Sequence, residues 1–323
     1  MVPQLKSILE DVQYSIDRLS IPMWNHMVPQ LRCPSSETMK KSNRQVRLMI
    51  GSNAGGSGKT TTTAHIACAV AQAGYKVTIV ELDYSGSLST FTGLPMHPPA
   101  DESAAHILQK GFKGNYPLQP VWTEYVSGVT VIQGGNSLGR SIREVHIDGR
   151  GFYALRDRLE DYPLEADLVI FDTPASLEPM GAVALIASTH LLSAIKPECK
   201  DSEGFAGFLQ WYYEKIEEFR LTPQPEILGF VPTRVDWSGV GTHRDLLGVD
   251  RQGNLRTDID LSGTLPYLIE HEFNIHCFPA IRESNHYLKA CYKRLPLQIY
   301  RPKCDYSKDF DPIATALIDL ITA

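Results

Sequence analysis

Residues 51–60 read Gly51-Ser-Asn-Ala-Gly-Gly-Ser-Gly-Lys-Thr60. An apolar strand, Val46-Arg-Leu-Met-Ile50, precedes the run. A helix of small residues follows it, starting at Lys59 and continuing through Ala64, Ala67 and Ala71 to Ala73. Strand, glycine-rich turn and helix in that order make a phosphate-binding loop. Gly55, Gly56 and Gly58 lack a Cβ, so the backbone can curl and turn successive N–H groups onto phosphate oxygens. The helix N-terminus adds its partial positive charge. Lys59 can reach the β- and γ-phosphates, and Thr60 can ligate Mg2+. The expected nucleotide contacts are therefore Ala54, Gly55, Gly56, Ser57, Gly58, Lys59, Thr60 and Thr61. The strict pattern G-x-x-x-x-G-K-[ST] is not met, because Asn53 occupies its first glycine position.

That departure is informative. Gly55-Gly-Ser-Gly-Lys-Thr-Thr-Thr62 resembles the deviant Walker A loop of the ParA/MinD family of ATPases, K-G-G-x-G-K-[ST]. Val77-Thr-Ile-Val-Glu-Leu-Asp83-Tyr-Ser-Gly86-Ser-Leu-Ser-Thr90 resembles the family's second motif, a strand ending in D-x-D-P-Q-G-N-x-T. Asp167-Leu-Val-Ile-Phe-Asp172-Thr-Pro-Ala-Ser176 resembles its Walker B strand. The likeness spans residues 45 to 320 and implies an α/β fold of the P-loop type, a mostly parallel twisted sheet flanked by helices. It implies ATP and Mg2+ as the bound species, with Thr60, Asp83 and Asp172 at the metal. Asp172 would orient the metal's waters. Asp83 would position the attacking water, or serve as a second carboxylate near Mg2+. Glu81 stands where the family has its first Asp and is expected to be structural. Phe230-Val-Pro-Thr-Arg-Val-Asp236 resembles the segment that reads adenine in relatives, so Thr233, Arg234 and Asp236 are expected at the base. Phe278-Pro-Ala-Ile-Arg-Glu-Ser284, with Pro279, resembles the loop that wraps it.

The family's loop begins with a lysine that crosses to the partner's phosphates in a sandwich dimer. Here that position is Ala54. Two nucleotides held face to face need charge compensation, and losing a buried cation there costs several kcal/mol unless another replaces it. A subgroup that positions carboxysomes resembles the replacement case, with the lysine supplied from the C-terminal half. Ile195-Lys-Pro-Glu-Cys-Lys200-Asp-Ser-Glu-Gly-Phe205 lies in the region that relatives use at the dimer face. Lys200 is the first candidate, Lys196 the second. Arg140 and Arg143, expected on a loop after strand Val129–Ile132, are weaker ones.

At 323 residues the chain can bury one large core. Its net charge of −6 excludes a general polyanion binder, so any contact with nucleic acid must come from a local patch. Such a patch exists near the end. Lys289, Lys293, Arg294, Arg301, Lys303 and Lys308 alternate with Tyr287, Tyr292 and Tyr300. In the partition ATPases of the family, basic C-terminal residues bind DNA nonspecifically, and Lys289, Lys293, Arg294 and Arg301 are the candidates here. The six cysteines have no CxxC spacing, which fits a reducing cytosol and argues against zinc and iron–sulfur sites. No apolar run approaches the length of a membrane span, and residues 1–20 are too polar for a secretory leader.

Two parts are expected: an N-terminal helical extension and linker over 1–45, and the nucleotide-binding domain over 46–323. Leu5, Ile8, Leu9, Val12, Ile16 and Leu19 recur at helical spacing, and residues 33–43 read as a linker. That helix either covers the domain's flank or binds a partner. Further strands are expected at Val129–Ile132, Leu168–Phe171, His190–Ile195, Ile227–Val231 and Ile275–Phe278. Helices are expected over Gly151–Glu160, Ser202–Glu218, Asn285–Lys293 and Pro312–Ile321. In such sheets ligands lie beyond the carboxyl ends of the strands, where the loop, Asp83 and Asp172 would converge. The last helix carries no lysine or arginine, unlike the basic membrane tails of MinD relatives.

The expected function is a slow, partner-stimulated ATPase of the cytoplasm and nucleoid. It would form a homodimer on ATP binding, hold nonspecific DNA, and position a plasmid, chromosome or carboxysome-like body through a ParB-like or adaptor partner, with no membrane contact. The alternatives are a MinD-like membrane-cycling regulator, a metabolic relative such as a biotin-pathway synthase, and a nucleotide-binding scaffold with very weak hydrolysis.

Overall fold

Apolar residues alternate along the central strands and sort onto two faces. Leu48, Ile50, Ile79 and Ile170 pack into one buried cluster, and Met49, Val80, Val169 and Phe171 into another. A sheet buried on both faces is what a parallel α/β protein requires. The computed structural model describes residues 45–147, 150–239 and 241–323, with the side chains of His146 and of residues 199–203 outside that description. The helix and linker expected within 1–44 lie outside the described residues.

The strands are β1 (Val46–Gly51), β2 (Val77–Glu81), β3 (Gln119–Pro120), β4 (Val129–Ile132), β5 (Leu168–Asp172), β6 (His190–Ile195) and β7 (Glu226–Pro232). They form one sheet in the order β3-β4-β2-β5-β1-β6-β7. All pairings are parallel except the short β3–β4 pairing. The longer helices are α1 (Lys59–Gln72), α2 (Leu138–Ile147), α3 (Ala154–Asp161), α4 (Met180–Ala187), α5 (Cys199–Glu218), α6 (Leu265–Phe273), α7 (Asn285–Tyr292) and α8 (Asp311–Thr322). Helices α1 and α8 cover one face, and α3, α4, α5 and α6 the other.

The expected strand Ile275–Phe278 is not a ladder strand. Only a single parallel bridge, Phe230 to Cys277, joins it to β7, and Pro279 follows at once. A proline cannot donate to a ladder, and Pro232 at the end of β7 lacks the N–H that would continue it, so the contact resumes only irregularly, with Ile281 N donating to the Pro232 carbonyl at 2.8 Å. Arg140 and Arg143 lie on α2, not on a loop, and both are exposed. Helix α4 was absent from the expectation because every one of its residues is buried, so it carries no polar face to mark a helical period. The last helix, α8, buries Ile313, Ala314, Leu317 and Ile321 and lies against α1.

Candidate functional site

Strand β1 sits between β5 and β6, so its carboxyl end opens at the middle of the sheet. The loop from Ser52 to Gly58 leaves from there. Gly56 and Gly58 have φ of +76° and +83°, left-handed values that side chains rarely tolerate. Gly58 also stands at the N-cap of α1 without a side-chain cap, and the first turn holds no acid. The first amides of α1 are therefore open to an anion. Lys59 is only 7% exposed. Its Nζ curls back and donates to the Ala54 carbonyl at 2.9 Å and to Ser57 Oγ at 3.5 Å.

The register places the carboxylates. Asp172 at the end of β5 is level with Ile50 of β1 on one side and Glu81 of β2 on the other. Asp172 is fully buried. Its Oδ1 accepts from Thr63 Oγ1 at 3.0 Å, while its buried Oδ2 has no partner. Burial pushes its pKa up to about 6, against the opposing pull of the Thr60 and Thr63 hydroxyls and of Lys59. An orphaned, desolvated carboxylate oxygen beside a threonine hydroxyl is costly alone and well matched to a cation. Among the described residues there is no group of three or more His, Cys, Asp or Glu that could cage a metal. Mg2+ takes few protein ligands and completes its shell with water and phosphate oxygens. The donor set of Thr60 and Asp172 therefore fits this ion.

Asp83 lies just past β2, partly buried, with Oδ1 accepting from the Ser85 amide at 2.8 Å. Ser87, which the motif reading did not single out, meets the Thr60 hydroxyl at 3.1 Å. Glu81 is 1% exposed and binds backbone with both oxygens. Oε1 accepts from Leu88 N at 2.8 Å and Oε2 from Gly134 N at 2.9 Å. Burial raises its pKa to about 8, while these two amides favour the charged form. Its geometry is that of a structural clamp on the segment that carries Asp83 and Ser87.

Past β7, Thr233 Oγ1 donates to the Ser57 carbonyl at 2.7 Å, and Arg234 Nη1 to the Gly56 carbonyl at 3.2 Å. Arg234 also pairs with Glu283 at 3.1 Å. Asp236 turns to its own loop, where Oδ1 accepts from Ser238 N, Ser238 Oγ and Gly239 N, each at 2.9 Å. Pro279 is exposed beside the bridge.

Helix α5 packs directly on the start of the loop. A Cβ on Gly204 would lie 3.3 Å from the Asn53 carbonyl and 3.9 Å from Ala54 Cβ, and one on Gly207 would lie 3.2 Å from Asn53 Nδ2. Two glycines one turn apart let the helix approach that closely. Lys200 is the second residue of α5, one further turn before Gly204, and its side chain lies outside the described residues. Lys196 is paired with Glu198, which also faces His243.

Lys289 lies exposed on α7, Lys293 and Arg294 exposed just after it, and Arg301 exposed further on. Arg294 Nη1 donates to the Gly93 carbonyl at 3.1 Å, and Arg301 lies 3.3 Å from His286 Nδ1. The link from α1 to this region is His65, a residue the sequence did not flag. Its ring is fully buried, with Nδ1 2.7 Å from the Thr61 carbonyl and Nε2 accepting from Leu297 N at 3.0 Å. Only the neutral Nδ1–H tautomer satisfies both contacts. The ring stacks on Phe310 and meets Phe91 and Tyr287 edge-on. Burial lowers its pKa from 6.5 to about 4. Between those values the unfolded chain takes a proton that the native state refuses, so stability is lost as pH falls through this window and is whole above it. The loss is expected to reach roughly 3 kcal/mol by pH 4. Thermal melts of wild type and His65→Gln from pH 7.5 to 4 check it: the gap between them should narrow as pH falls, and a constant gap would refute the assignment.

A family model described as an AAA domain matches residues 47–225. The chromosome-partitioning ATPase Soj of Thermus thermophilus is 30% identical over 199 residues, covering 59% of this chain and 70% of that protein. The chain belongs to the ParA/MinD family. Another family relative, the maintenance of carboxysome distribution protein A of Gloeothece citriformis, is 24% identical over 273 residues, covering 84% of this chain and 96% of that protein. Among solved structures, apo McdA from Cyanothece superposes with a TM-score of 0.69 at 21% identity, over 85% of this chain and all of that one. Cobyrinic acid a,c-diamide synthase from Mycobacterium smegmatis, solved with ADP and magnesium, gives 0.65 at 21% identity, over 85% of this chain and 94% of that one. At such identities the likeness concerns the family fold. Among the described residues, no helix is long and apolar enough to cross a membrane.

Proposed function

We propose that this chain is a ParA-type ATPase that binds ATP with Mg2+, dimerises on binding it, holds nonspecific DNA and positions a cargo. A partner protein would stimulate hydrolysis and release. The observation that carries this reading is the convergence of the left-handed Gly56–Gly58 turn, the buried Lys59 and the orphaned Asp172 oxygen at one end of β1. The loop amides and Lys59 would hold the phosphates. Thr60 and Asp172 would hold Mg2+, which supplies neutralisation of the developing phosphate charge. Asp83 would position the attacking water. Phosphoryl transfer depends mainly on such positioning and charge. Residues 46–323 would form this unit, with 1–45 as an extension. Single-turnover hydrolysis of ATP tests the reading. A measurable, Mg2+-dependent rate is expected, and tight binding with no turnover would favour the scaffold reading that Ala54 keeps open.

Lys200 would supply the cation missing at Ala54. Support comes from α5 being seated on Asn53 and Ala54 through Gly204, with Lys200 one turn nearer the open end. Lys196 has a counter-ion already and is a poorer candidate.

Lys289, Lys293, Arg294 and Arg301 would contact DNA, in the cytoplasm and on the nucleoid. Such binding is mostly counterion release, so it weakens steeply with salt. Lys289→Glu with Lys293→Glu should weaken binding to random duplexes of every sequence and lower the salt slope by about 1 per lost phosphate contact. Fluorescence anisotropy across a salt series checks it, and an unchanged slope would remove these residues from the interface. The apolar face of α8 is already packed on α1, which disfavours the membrane-cycling reading.

A further inference from the structure

Two neighbouring side chains past β7 grip two successive carbonyls of the glycine loop. Thr233 Oγ1 holds Ser57 O at 2.7 Å, and Arg234 Nη1 holds Gly56 O at 3.2 Å. In a planar trans peptide the C=O of one residue and the N–H of the next point in opposite directions. Drawing the Gly56 and Ser57 carbonyls toward Thr233 and Arg234 therefore turns the Ser57 and Gly58 amides the other way, away from the end of β7. The two left-handed glycines are the ones that face these grips. A Cβ on Gly56 would lie 3.7 Å from Arg234 Nη1, and one on Gly58 3.6 Å from Thr233 Cβ.

Both grips are themselves held. Thr233 is buried, and its amide donates to the Ile195 carbonyl of β6 at 2.7 Å. Arg234 is half-exposed and braced by Glu283, whose amide donates to the Val235 carbonyl at 2.9 Å. Arg234 has φ +53°. A non-glycine residue in that region costs about 1–2 kcal/mol, and such strain persists where the surroundings impose it. The strained backbone sits at the residue that reaches the loop.

We infer that Thr233 and Arg234 are positioning residues that pre-aim the Ser57 and Gly58 amides at a polyphosphate, rather than readers of the base. This rests on the nucleotide-binding reading above and specifies how the edge of the sheet prepares the loop for it. A preformed set of donors binds an anion without the cost of ordering a glycine-rich turn.

Isothermal titration with Mg-ATP, Mg-GTP and Mg-tripolyphosphate tests the role on wild type, Thr233→Val, Thr233→Ser and Arg234→Ala. Thr233→Val keeps the shape and loses the donor, and should weaken every ligand that wild type binds by about tenfold. Arg234→Ala should weaken them about tenfold or more. Thr233→Ser keeps the hydroxyl and should bind as wild type does, which separates the lost hydrogen bond from a folding defect. Wild-type affinity in both Val and Ala variants would overturn the inference. So would a loss confined to ATP, which is the signature of a base contact. Wild type that takes up none of the three ligands would instead sink the nucleotide reading on which the inference stands.

Discussion

Replacing Lys200 with alanine should abolish the ATP-dependent dimer and leave nucleotide binding by the monomer intact. The physical ground is charge. In a sandwich arrangement two polyphosphates face each other across a water-poor interface. The loop offers no cation at Ala54, which is almost fully buried. Helix α5 touches that same position through Gly204, and Lys200 lies one turn beyond. Removing one partner of a buried ionic contact costs about 3–5 kcal/mol, which is on the order of a hundredfold to several thousandfold in dimer affinity. Analytical ultracentrifugation with Mg-ATP reads this directly. Lys200→Arg, which keeps the charge, should retain part of the association. Dimerisation of Lys200→Ala at the wild-type concentration would transfer the role to another cation or remove the need for one.

Asp172→Asn should lower hydrolysis by about 100-fold or more while leaving the melting temperature unchanged or raised. Asp172 carries a buried oxygen without a donor, so the folded protein compensates its charge only in part, through the Thr63 hydroxyl on the other oxygen and Lys59 nearby. Asparagine removes the charge and with it the burial penalty. It also removes the negative charge that suits a divalent ion beside Thr60. Opposite signs for stability and turnover are what a functional, not structural, carboxylate should give. A variant that loses stability and keeps its turnover would reverse the assignment. Glu81, equally buried but bound by two amides, should behave as the structural counterpart: Glu81→Gln should destabilise by about 1–3 kcal/mol in a denaturant titration.

The fold was legible where local chemistry and tertiary packing agree. Strand β1, the loop and α1 read directly, because a glycine run between an apolar strand and an alanine-rich helix has few other solutions. Strands β2, β5, β6 and β7 followed from apolar runs near the expected bounds. Gly74, directly after the α1 C-cap Ala73, has φ +96°, as a helix stop should. Helix α4 was not legible because it is apolar all round. The strand Ile275–Phe278 failed because apolar content does not reveal whether a neighbour's edge can keep pairing, and β7 ends at Pro232, which has no N–H to donate. In the site, Asp83 and Asp172 were read from the likeness of their segments to family motifs, but nothing in the sequence distinguished Ser87 or His65 from other serines and histidines. Their roles depend on chain segments brought together from afar, such as Leu297 against His65. Thr233 and Arg234 were found by likeness, yet their contacts with loop carbonyls follow only from three-dimensional placement.

On the reading proposed above, the turn from Ala54 to Thr60 grips a triphosphate with the help of a divalent ion. Calorimetric titration of the folded protein with ATP, first with Mg2+ and then with EDTA, decides whether it does. Saturable one-to-one binding that weakens strongly in EDTA, and that Lys59→Ala removes, is the predicted result. No heat with Mg-ATP, or binding indifferent to both the metal and Lys59, would contradict it.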